Sequence, residues 1–415
     1  MINKILISAC LFLSLVSFSQ EGTSSPYSFY GIGESRFNGS VESRSMAGLS
    51  IAPDSTHINL QNPAGYANLK WTAFTMAGSN SHTKQKSGTS SASTQRNTFD
   101  YLSLGVPLGK FGAAFGLLPY SSVGYRIENK STDPLITNKR FNGWGGLNRV
   151  FLGAGYRIMP NLSVGANAYY NFGKIQTNSL EYFPDMLGSR ELNVTDLSGV
   201  NFSIGMMYQA KINKKMTLFS SLYYTPKSTL VSNNTRTIGT VTFDSNYDVQ
   251  GVDALDPVST KTDLNLPQKW TFGAGIGDSK KWFFGSEISF QDVGKLYSSY
   301  NTLDNVTYEK YQKYSFGGYY TPNSNPYMGY AKRITYRGVF KYEKTGLVVN
   351  STSINDVGMT FGLGLPITGS LSNVNLGFEF GKKGTTSNNL VQENYFNINI
   401  GVSLNDKWFV RSKFH

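Results

Sequence analysis

The sequence contains little of what soluble enzymes and disulfide-rich secreted proteins usually contain. One cysteine, Cys10, and three histidines occur among 415 residues. Charged residues make up 15% of the chain, whereas soluble domains average about 25%. A single cysteine excludes an internal disulfide framework and a cluster of thiolate metal ligands. The scarcity of charge disfavours both a disordered chain and an ordinary cytosolic enzyme.

Long apolar runs are also absent, except at the N-terminus. Residues 5–18 are mostly apolar, follow the positive charge of Lys4 and precede the small residue Ser19. This order is typical of a secretory signal peptide, which we predict over residues 1–19. Because the apolar run continues beyond Cys10, we interpret Cys10 as an ordinary apolar position rather than a lipidation site. No later run approaches the roughly 20 apolar residues of a membrane helix.

The charge balance is basic, with 38 Lys and Arg against 26 Asp and Glu. Such a balance can indicate nucleic-acid binding. Here the basic residues are scattered rather than grouped in blocks, and an exported protein rarely meets nucleic acid. We therefore predict no nucleic-acid partner.

Glycine and aromatic residues are abundant, and they follow a period of two. The chain has 43 Gly, 27 Phe and 26 Tyr. In residues 162–173, one face carries Leu162, Val164, Ala166, Ala168, Tyr170 and Phe172, and the other carries Ser163, Gly165, Asn167, Tyr169, Asn171 and Gly173. This alternation predicts strands with one apolar and one small or polar face. Several such segments are about nine to eleven residues long, which matches a tilted membrane strand.

Alternation and turn residues predict fourteen strands. They lie near 70–79, 98–107, 111–127, 146–157, 162–174, 197–209, 216–229, 267–277, 281–291, 310–320, 333–345, 355–366, 371–382 and 391–404. Their connections alternate between short turns and longer polar loops, as in outer-membrane barrels with the long loops outside the cell. One of these loops, 80–97, is too polar to bury and should be solvated.

We therefore predict an all-β fold, a 14-stranded antiparallel transmembrane β-barrel over residues 70–404, in the outer membrane of a Gram-negative cell. A soluble β-sandwich or β-propeller would also alternate. However, the second face has few charges and aromatic residues gather near strand ends, which favours a barrel with aromatic girdles.

Residues 20–69 do not alternate and are rich in Gly, Ser, Asn and Pro. They contain Arg44-Ser-Met-Ala-Gly-Leu49, Ala52-Pro-Asp54-Ser55 and Asn62-Pro-Ala-Gly-Tyr-Ala-Asn-Leu69. With these motifs the sequence resembles the FadL-type family of outer-membrane transporters for long-chain fatty acids and aromatic hydrocarbons. The resemblance implies a fourteen-stranded barrel whose N-terminal segment, here residues 20–69, folds into the lumen as a plug or hatch.

Four residues are the predicted substrate-channel or hatch positions. Asn62 can close a turn with its side chain, and Pro63 fixes φ and lacks a backbone donor. Ala64 and Gly65 allow close packing against the wall. The same residues also fit a turn that merely orients the chain into the first strand, which is compatible with a hatch but says nothing about transport.

The third predicted strand contains residues that disturb a sheet. Pro119 cannot donate to the ladder and Gly116 weakens it, so the strand should kink or bulge. In the FadL-type family a kink of this strand opens the wall sideways, and the resemblance implies a lateral gate at Gly116 and Pro119. A harmless proline at a rim or bulge is the alternative.

No residue pattern predicts catalysis. Asp54, Ser55 and His57 are close in sequence, but residues on one short stretch should not converge into a hydrolytic site. Metal-ligand spacings and phosphate-binding glycine loops are missing from the sequence. We predict a protein that is not an enzyme and needs no metal or cofactor.

Four charged residues fall on the phase that should face the lumen: Glu287, Glu379, Arg337 and Lys341. Charges inside a barrel usually pair with one another or with a plug. Contact of Arg337 or Lys341 with a fatty-acid head group is a further hypothesis.

Two interpretations remain for the C-terminus. Either the last strand ends at Leu404 and residues 405–415 form a basic periplasmic tail, or residues 407–414 are themselves the final strand. Both chain ends lie in the periplasm when the strand number is even, which favours the tail.

The sequence leaves two functional hypotheses. The first is an outer-membrane channel for passive uptake of hydrophobic, fatty-acid-like or aromatic compounds, with lateral exit through the kinked third strand. The second is a non-transporting barrel subunit with a structural or assembly role in a larger outer-membrane complex. The expected partners are the lipid bilayer, hydrophobic small molecules and other envelope proteins. An apolar tunnel would favour the channel, and a lumen filled by residues 20–69 and charged pairs would favour the subunit.

Overall fold

The alternating residues form strands that pair into one closed antiparallel sheet in the computed structural model. The structure describes residues 22–88, 90–131, 133, 135–183, 186–213, 215–243, 249–278, 281–293, 305–323, 325 and 329–408. The predicted signal peptide, residues 1–19, and residues 409–415 of the predicted tail lie outside this range.

The strands are β1 (Glu34–Ser35), β2 (Thr72–Ser87), β3 (Ser90–Leu108), β4 (Phe111–Asn129), β5 (Asn138–Met159), β6 (Leu162–Tyr182), β7 (Gly188–Lys211), β8 (Thr217–Thr225), β9 (Ser228–Phe243), β10 (Val249–Ala254), β11 (Val258–Leu266), β12 (Lys269–Asp278), β13 (Trp282–Gln291), β14 (Val306–Tyr308), β15 (Tyr311–Tyr320), β16 (Thr335–Val349), β17 (Thr352–Pro366), β18 (Asn373–Lys383) and β19 (Gln392–Asp406). Short helices are α1 (Val41–Arg44) and α2 (Tyr330–Arg333), with 3₁₀ turns at Pro26–Phe29, Pro63–Asn68 and Ser387–Asn389.

Within the described residues, β2 to β19 make fourteen barrel strands, because β8 with β9, β10 with β11 and β12, and β14 with β15 each continue one strand. The barrel closes where β19 pairs with β2, from Gln392 opposite Lys86 to Asp406 opposite Thr72. The first strand therefore starts at the same end of the barrel at which the last strand finishes, and we call it the terminal end. The predicted fourteen-stranded antiparallel barrel is confirmed.

The two faces of the sheet differ as the alternation predicts. Outward side chains such as Leu152, Phe202 and Phe361 are more than half exposed. Inward side chains such as Asn171 and Ser203 are fully buried. Among the described residues, no helix is long and apolar enough to cross a membrane. An apolar outer surface on a closed barrel fits the outer membrane of a Gram-negative cell.

The strand ends were predicted well at one end of the barrel only. At the terminal end, the predicted and observed ends agree to within two residues. At the opposite, extended end, the strands continue beyond the apolar belt. The prediction of a loop over residues 80–97 is wrong, because β2 and β3 stay paired as a hairpin out to Ser87 opposite Ser90. The hairpin is solvated as expected. Where water meets both faces of a strand, the sequence no longer alternates, although Ser and Thr residues still adopt an extended backbone.

Residues 22–71, which we call the N-terminal segment, contact the inner face of the barrel. The 3₁₀ turn Pro63–Asn68 contacts β3, β4, β5, β6 and β7, and α1 contacts β17, β18 and β19. Its apolar side chains Val41, Leu49, Ile58 and Tyr66 are at most 1% exposed. This segment therefore touches the wall on opposite sides of the lumen.

Candidate functional site in the barrel lumen

Asn62 ties the N-terminal segment to the wall. Its side-chain oxygen accepts a hydrogen bond from the Ala64 N–H at 3.1 Å, which caps the 3₁₀ turn that Pro63 begins. Its Nδ2 donates to the carbonyl oxygens of Met206 and Leu222, each at 3.3 Å. Because those residues lie on the adjacent strands β7 and β8, one buried amide orders both the turn and its position.

Glycines of the wall let the turn Pro63–Asn68 approach closely. A Cβ atom at Gly112 would collide with the backbone of Tyr66, and one at Gly165 would collide with that of Pro63. Tyr66 has no exposed surface and packs in a cluster with residues of the wall that includes Phe151 and Tyr169. The sequence indicated glycine on the lumen phase, but not that these glycines form the seat of the turn.

The wall is incomplete between β3 and β4. Their pairing runs from Leu108 opposite Phe111 only as far as Leu102 opposite Leu117. Beyond that point β4 continues to pair with β5, with a register shift between Pro119 and Ser121. Residues 90–101 of β3 and 118–129 of β4 are thus not paired with each other, and we call the space between them the wall opening. Gly116 belongs to the last paired stretch, and Pro119 lies at the edge of the opening.

The N-terminal segment occupies the wall opening. In β1, Glu34 lies opposite Ser122 and Ser35 opposite Ser121, so β1 adds two residues to the free edge of β4. The Arg36 N–H donates to the Tyr120 carbonyl oxygen at 2.9 Å. We call residues 34–36 the bridge.

Side chains connect the bridge to the other edge and to the opposite wall. The Arg36 guanidinium donates to Thr98 Oγ1 at 2.6 Å and to Asp100 Oδ1 at 3.3 Å, both on β3. Glu34 pairs with Lys383 Nζ at 2.6 Å. Burial disfavours the charged form of Glu34, but Lys383 holds the pKa of that carboxyl below its usual value. Both edges of the opening are therefore held by one short polar stretch.

Two of the four predicted inward charges, Glu379 and Lys341, lie in a buried ion-pair network. Glu379 accepts from Lys341 Nζ at 2.7 Å and pairs with Arg44 Nε of the N-terminal segment at 3.3 Å. Lys341 also pairs with Asp356 at 3.1 Å. Arg44 extends the network to Asp100 at 3.5 Å. The positions of Arg44 and Asp100 in this network could not be read from the sequence, because strand phase does not reveal which inward charges meet.

The two other predicted inward charges contact polar groups. Glu287 accepts hydrogen bonds from the N–H and hydroxyl of Ser50, at 3.1 and 3.2 Å. Arg337 Nη1 donates to Asn375 Oδ1 at 3.2 Å. Glu287 therefore lies where the N-terminal segment meets the wall, and Arg337 contacts a residue of the wall. Contact of Arg337 or Lys341 with a fatty-acid head group stays a hypothesis.

Asp54 and His57, which are close in sequence, contact each other. His57 Nδ1 lies 2.7 Å from Asp54 Oδ2, because the Asp54 carboxylate closes a turn on the backbone N–H of Thr56 at 2.8 Å. The other ring nitrogen, Nε2, lies 3.3 Å from Glu42 Oε1. Although burial lowers it, the carboxylates of Asp54 and Glu42 together raise the pKa of His57. Histidine between two carboxylates is arranged to carry charge, not to activate Ser55.

A cavity of about 480 Å³ remains in the lumen. Charged side chains of the wall and the N-terminal segment line it, including Arg36, Arg149, Lys313, Glu343 and Lys383. Among the described residues, no group of three or more His, Cys, Asp or Glu side chains could hold a metal ion. The lining also includes apolar side chains such as Ile32, Leu118 and Leu347, but the charges interrupt the continuous apolar tunnel that a hydrophobic compound requires.

Solved structures share the barrel architecture. The toluene transporter TbuX of Ralstonia pickettii has a TM-score of 0.58 at 15% identity, covering 89% of this chain and 98% of that chain. The toluene transporter TodX of Pseudomonas putida has 0.55 at 16% identity, covering 93% and 98%. A FadL homologue of Pseudomonas aeruginosa has 0.57 at 9% identity, covering 90% and 98%. At these identities the likeness shows the fold, which is that of FadL-family outer-membrane channels.

Comparisons of the sequence itself give one match. No curated protein matches the chain significantly. The model of one family, described as BamG, matches residues 1–415.

Proposed function

Because the chain belongs to the BamG family, we propose that it is a closed barrel subunit with an assembly-related role in a larger outer-membrane protein complex. In this proposal residues 20–69 act as a permanent hatch, and Asn62, Pro63, Ala64 and Gly65 anchor it. Other envelope proteins are the partners. The role requires no catalysis and no cofactor.

What supports the proposal is the set of buried ion pairs between the N-terminal segment and the wall. Arg44 pairs with Glu379, and Glu34 pairs with Lys383, at 3.3 and 2.6 Å. Moving the segment would separate these partners and leave buried charges without compensation, which costs about 3 to 5 kcal/mol for a pair. A transport path that opened by displacing the segment would meet this cost in every cycle, whereas a subunit that only presents its surface would not.

Purification from native outer membranes tests the proposal. We expect a tagged chain to co-purify, in stoichiometric amounts, with other envelope proteins, and depletion of the chain to lower the level of many different barrel proteins in the outer membrane. Purification of the chain alone with a bound fatty-acid-like or aromatic compound, together with normal levels of other barrels after depletion, would contradict it.

A second candidate is a channel for hydrophobic compounds with lateral exit at Gly116 and Pro119. The wall opening favours it, because β3 and β4 separate within the apolar belt beside Pro119. In this candidate the bridge would have to leave the opening for a compound to pass into the bilayer.

A reversible crosslink separates the two candidates. Ser35 and Ser121 lie directly opposite each other in the β1–β4 pair, at a separation of the kind that a disulfide spans. The double variant Ser35→Cys, Ser121→Cys would lock the bridge in the opening when oxidised. The assembly-related role should survive oxidation, whereas lateral exit should be lost and should return on reduction. Each single variant is the control.

A further inference from the structure

The terminal end of the barrel carries an excess of positive charge. Among the described residues, eight basic residues lie on its turns and near its strand ends: Lys70, Lys110, Lys211, Lys215, Lys281, Lys332, Arg333 and Lys407. We call this set the basic rim. Three carboxylates lie at the same end among the described residues: Asp54, Asp278 and Asp406. Asp54 is already bound to His57.

The extended end has more ion pairs between its exposed charges than the basic rim has. At the extended end, described ion pairs include Lys130 with Glu128, Lys139 with Glu181, Arg140 with Glu128, Lys174 with Asp196 and Arg236 with Glu191. None of the eight side chains of the basic rim forms an ion pair with a described carboxylate. No described carboxylate therefore neutralises the rim through an ion pair, and its positive charge can act on its surroundings.

Apolar side chains lie beside the rim cations. Leu108, two residues before Lys110, and Phe111, directly after it, are 56% and 54% exposed. Lys211 is followed by Ile212, which is also 56% exposed. An exposed apolar side chain next to an exposed cation is the arrangement found where a barrel passes from hydrocarbon to lipid head groups.

The seam between the first and last strands repeats this arrangement with tryptophan. Lys407 Nζ lies 5.0 Å from the centroid of the Trp71 ring, and Trp408 is half exposed. Lys70 precedes Trp71 directly. Tryptophan favours the interface because its ring is apolar and its N–H is polar.

The distribution of the rim indicates the kind of partner. The eight residues belong to the seam, the β3–β4, β7–β8 and β12–β13 turns, and the β15–β16 connection, so they encircle most of the barrel. A protein that docks on one side would need one concentrated patch. A surrounding shell of lipid head groups needs charge around the whole circumference.

Short turns and both chain ends of an outer-membrane barrel face the periplasm. We propose that the basic rim binds the phosphate groups of anionic phospholipids in the periplasmic leaflet of the outer membrane, with the neighbouring apolar side chains in the acyl region. The rim then holds a shell of selected lipids around this barrel. This inference does not depend on the proposed assembly-related role.

Lipid selection in nanodiscs tests the proposal. The full chain is inserted into discs of equal amounts of phosphatidylglycerol and phosphatidylcholine, and lipids that remain bound are counted by native mass spectrometry. We expect phosphatidylglycerol to be enriched on the unaltered protein. The variant Lys110→Gln, Lys211→Gln, Lys215→Gln, Lys281→Gln should lower the enrichment by about fivefold at each neutralised position, and added salt should weaken the enrichment on the unaltered protein.

A matched variant controls for the loss of four charges. Lys84→Gln, Lys86→Gln, Lys261→Gln, Lys310→Gln changes exposed lysines of the extended end and should leave the enrichment unchanged. Heat-dependent gel mobility checks that both variants remain folded barrels. Equal retention of the two lipids by the unaltered protein, or an equal loss in both variants, would overturn the proposal. Capture of an acidic periplasmic protein by lysine crosslinking at Lys110 and Lys215 in native membranes would also overturn it.

Discussion

The N-terminal segment is held against the barrel in two physically different ways. At the turn Pro63–Asn68, which we call the anchor, backbone packs against wall glycines and Tyr66 is fully buried. At the bridge, residues 34–36, two backbone-paired residues and an arginine hold the wall opening through polar contacts. A closely packed apolar contact leaves a void when its side chain is removed, whereas hydrogen bonds to water can replace a polar contact. The anchor should be fixed and the bridge should be the part that opens first.

Removal of Tyr66 is expected to have the largest effect. Tyr66→Ala leaves a large cavity under the anchor and should lower the free energy of unfolding by about 3 to 5 kcal/mol. Urea titration of the barrel in liposomes measures this change. Tyr320→Ala, at an outward side chain that is 55% exposed, is the control and should have a much smaller effect. Equal effects of the two variants would contradict an anchor built by packing.

Removal of Arg36 should release the bridge without releasing the anchor. Arg36→Ala deletes charge-assisted hydrogen bonds to β3, which contribute about 1.5 to 3 kcal/mol each. Hydrogen exchange should accelerate at the backbone amides of residues 34–36 and stay slow at residues 64–68. Arg36→Lys keeps the charge but not the fork and should give an intermediate rate. Acceleration at both places would show that the bridge and the anchor form one unit.

Loss of the Asn62 cap should have a smaller effect. Asn62→Ala removes the bond to the Ala64 N–H and leaves two wall carbonyl oxygens with one donor fewer. We expect a loss of about 1 to 2 kcal/mol, with faster exchange confined to the anchor. Asn62→Asp, which keeps the capping oxygen but not the donor, separates the two contributions.

The smallest expected effect is a pH dependence of the free energy of unfolding, caused by Asp54 and His57, which lie between the bridge and the anchor in the sequence. The pKa of His57 is raised in the folded protein above its ordinary value of 6.5, so its stabilising contribution is complete below that pH and is lost as the pH rises through the raised pKa. The pKa of Asp54 is lowered, so its contribution is present above its ordinary value and is lost as the pH falls through the lowered one. Urea titrations over a range of pH measure the free energy of unfolding of the unaltered chain and of His57→Gln. The difference between the two free energies should vanish at high pH.

The sequence predicted the wall far better than the site. Strand ends at the terminal end were correct because lipid and lumen impose opposite demands on alternate residues, as at Tyr170 and Asn171. The extension of β2 past Ser79, and the matching part of β3, were missed because water on both faces removes that signal. Glu379 and Lys341 were assigned to the lumen by strand phase. Their partner Arg44 was not found, because the N-terminal segment has no period.

The sequence by itself determined the number of strands, the face that each side chain presents and the short turns, since these follow from local alternation in two environments. Only the tertiary structure decided which strands the N-terminal segment contacts, which charges meet and how far the pairing of β3 and β4 extends. These contacts join residues that are remote along the chain, such as Glu34 and Lys383, 349 positions apart. Their partners are selected by geometry after the barrel closes, and no local pattern records that choice.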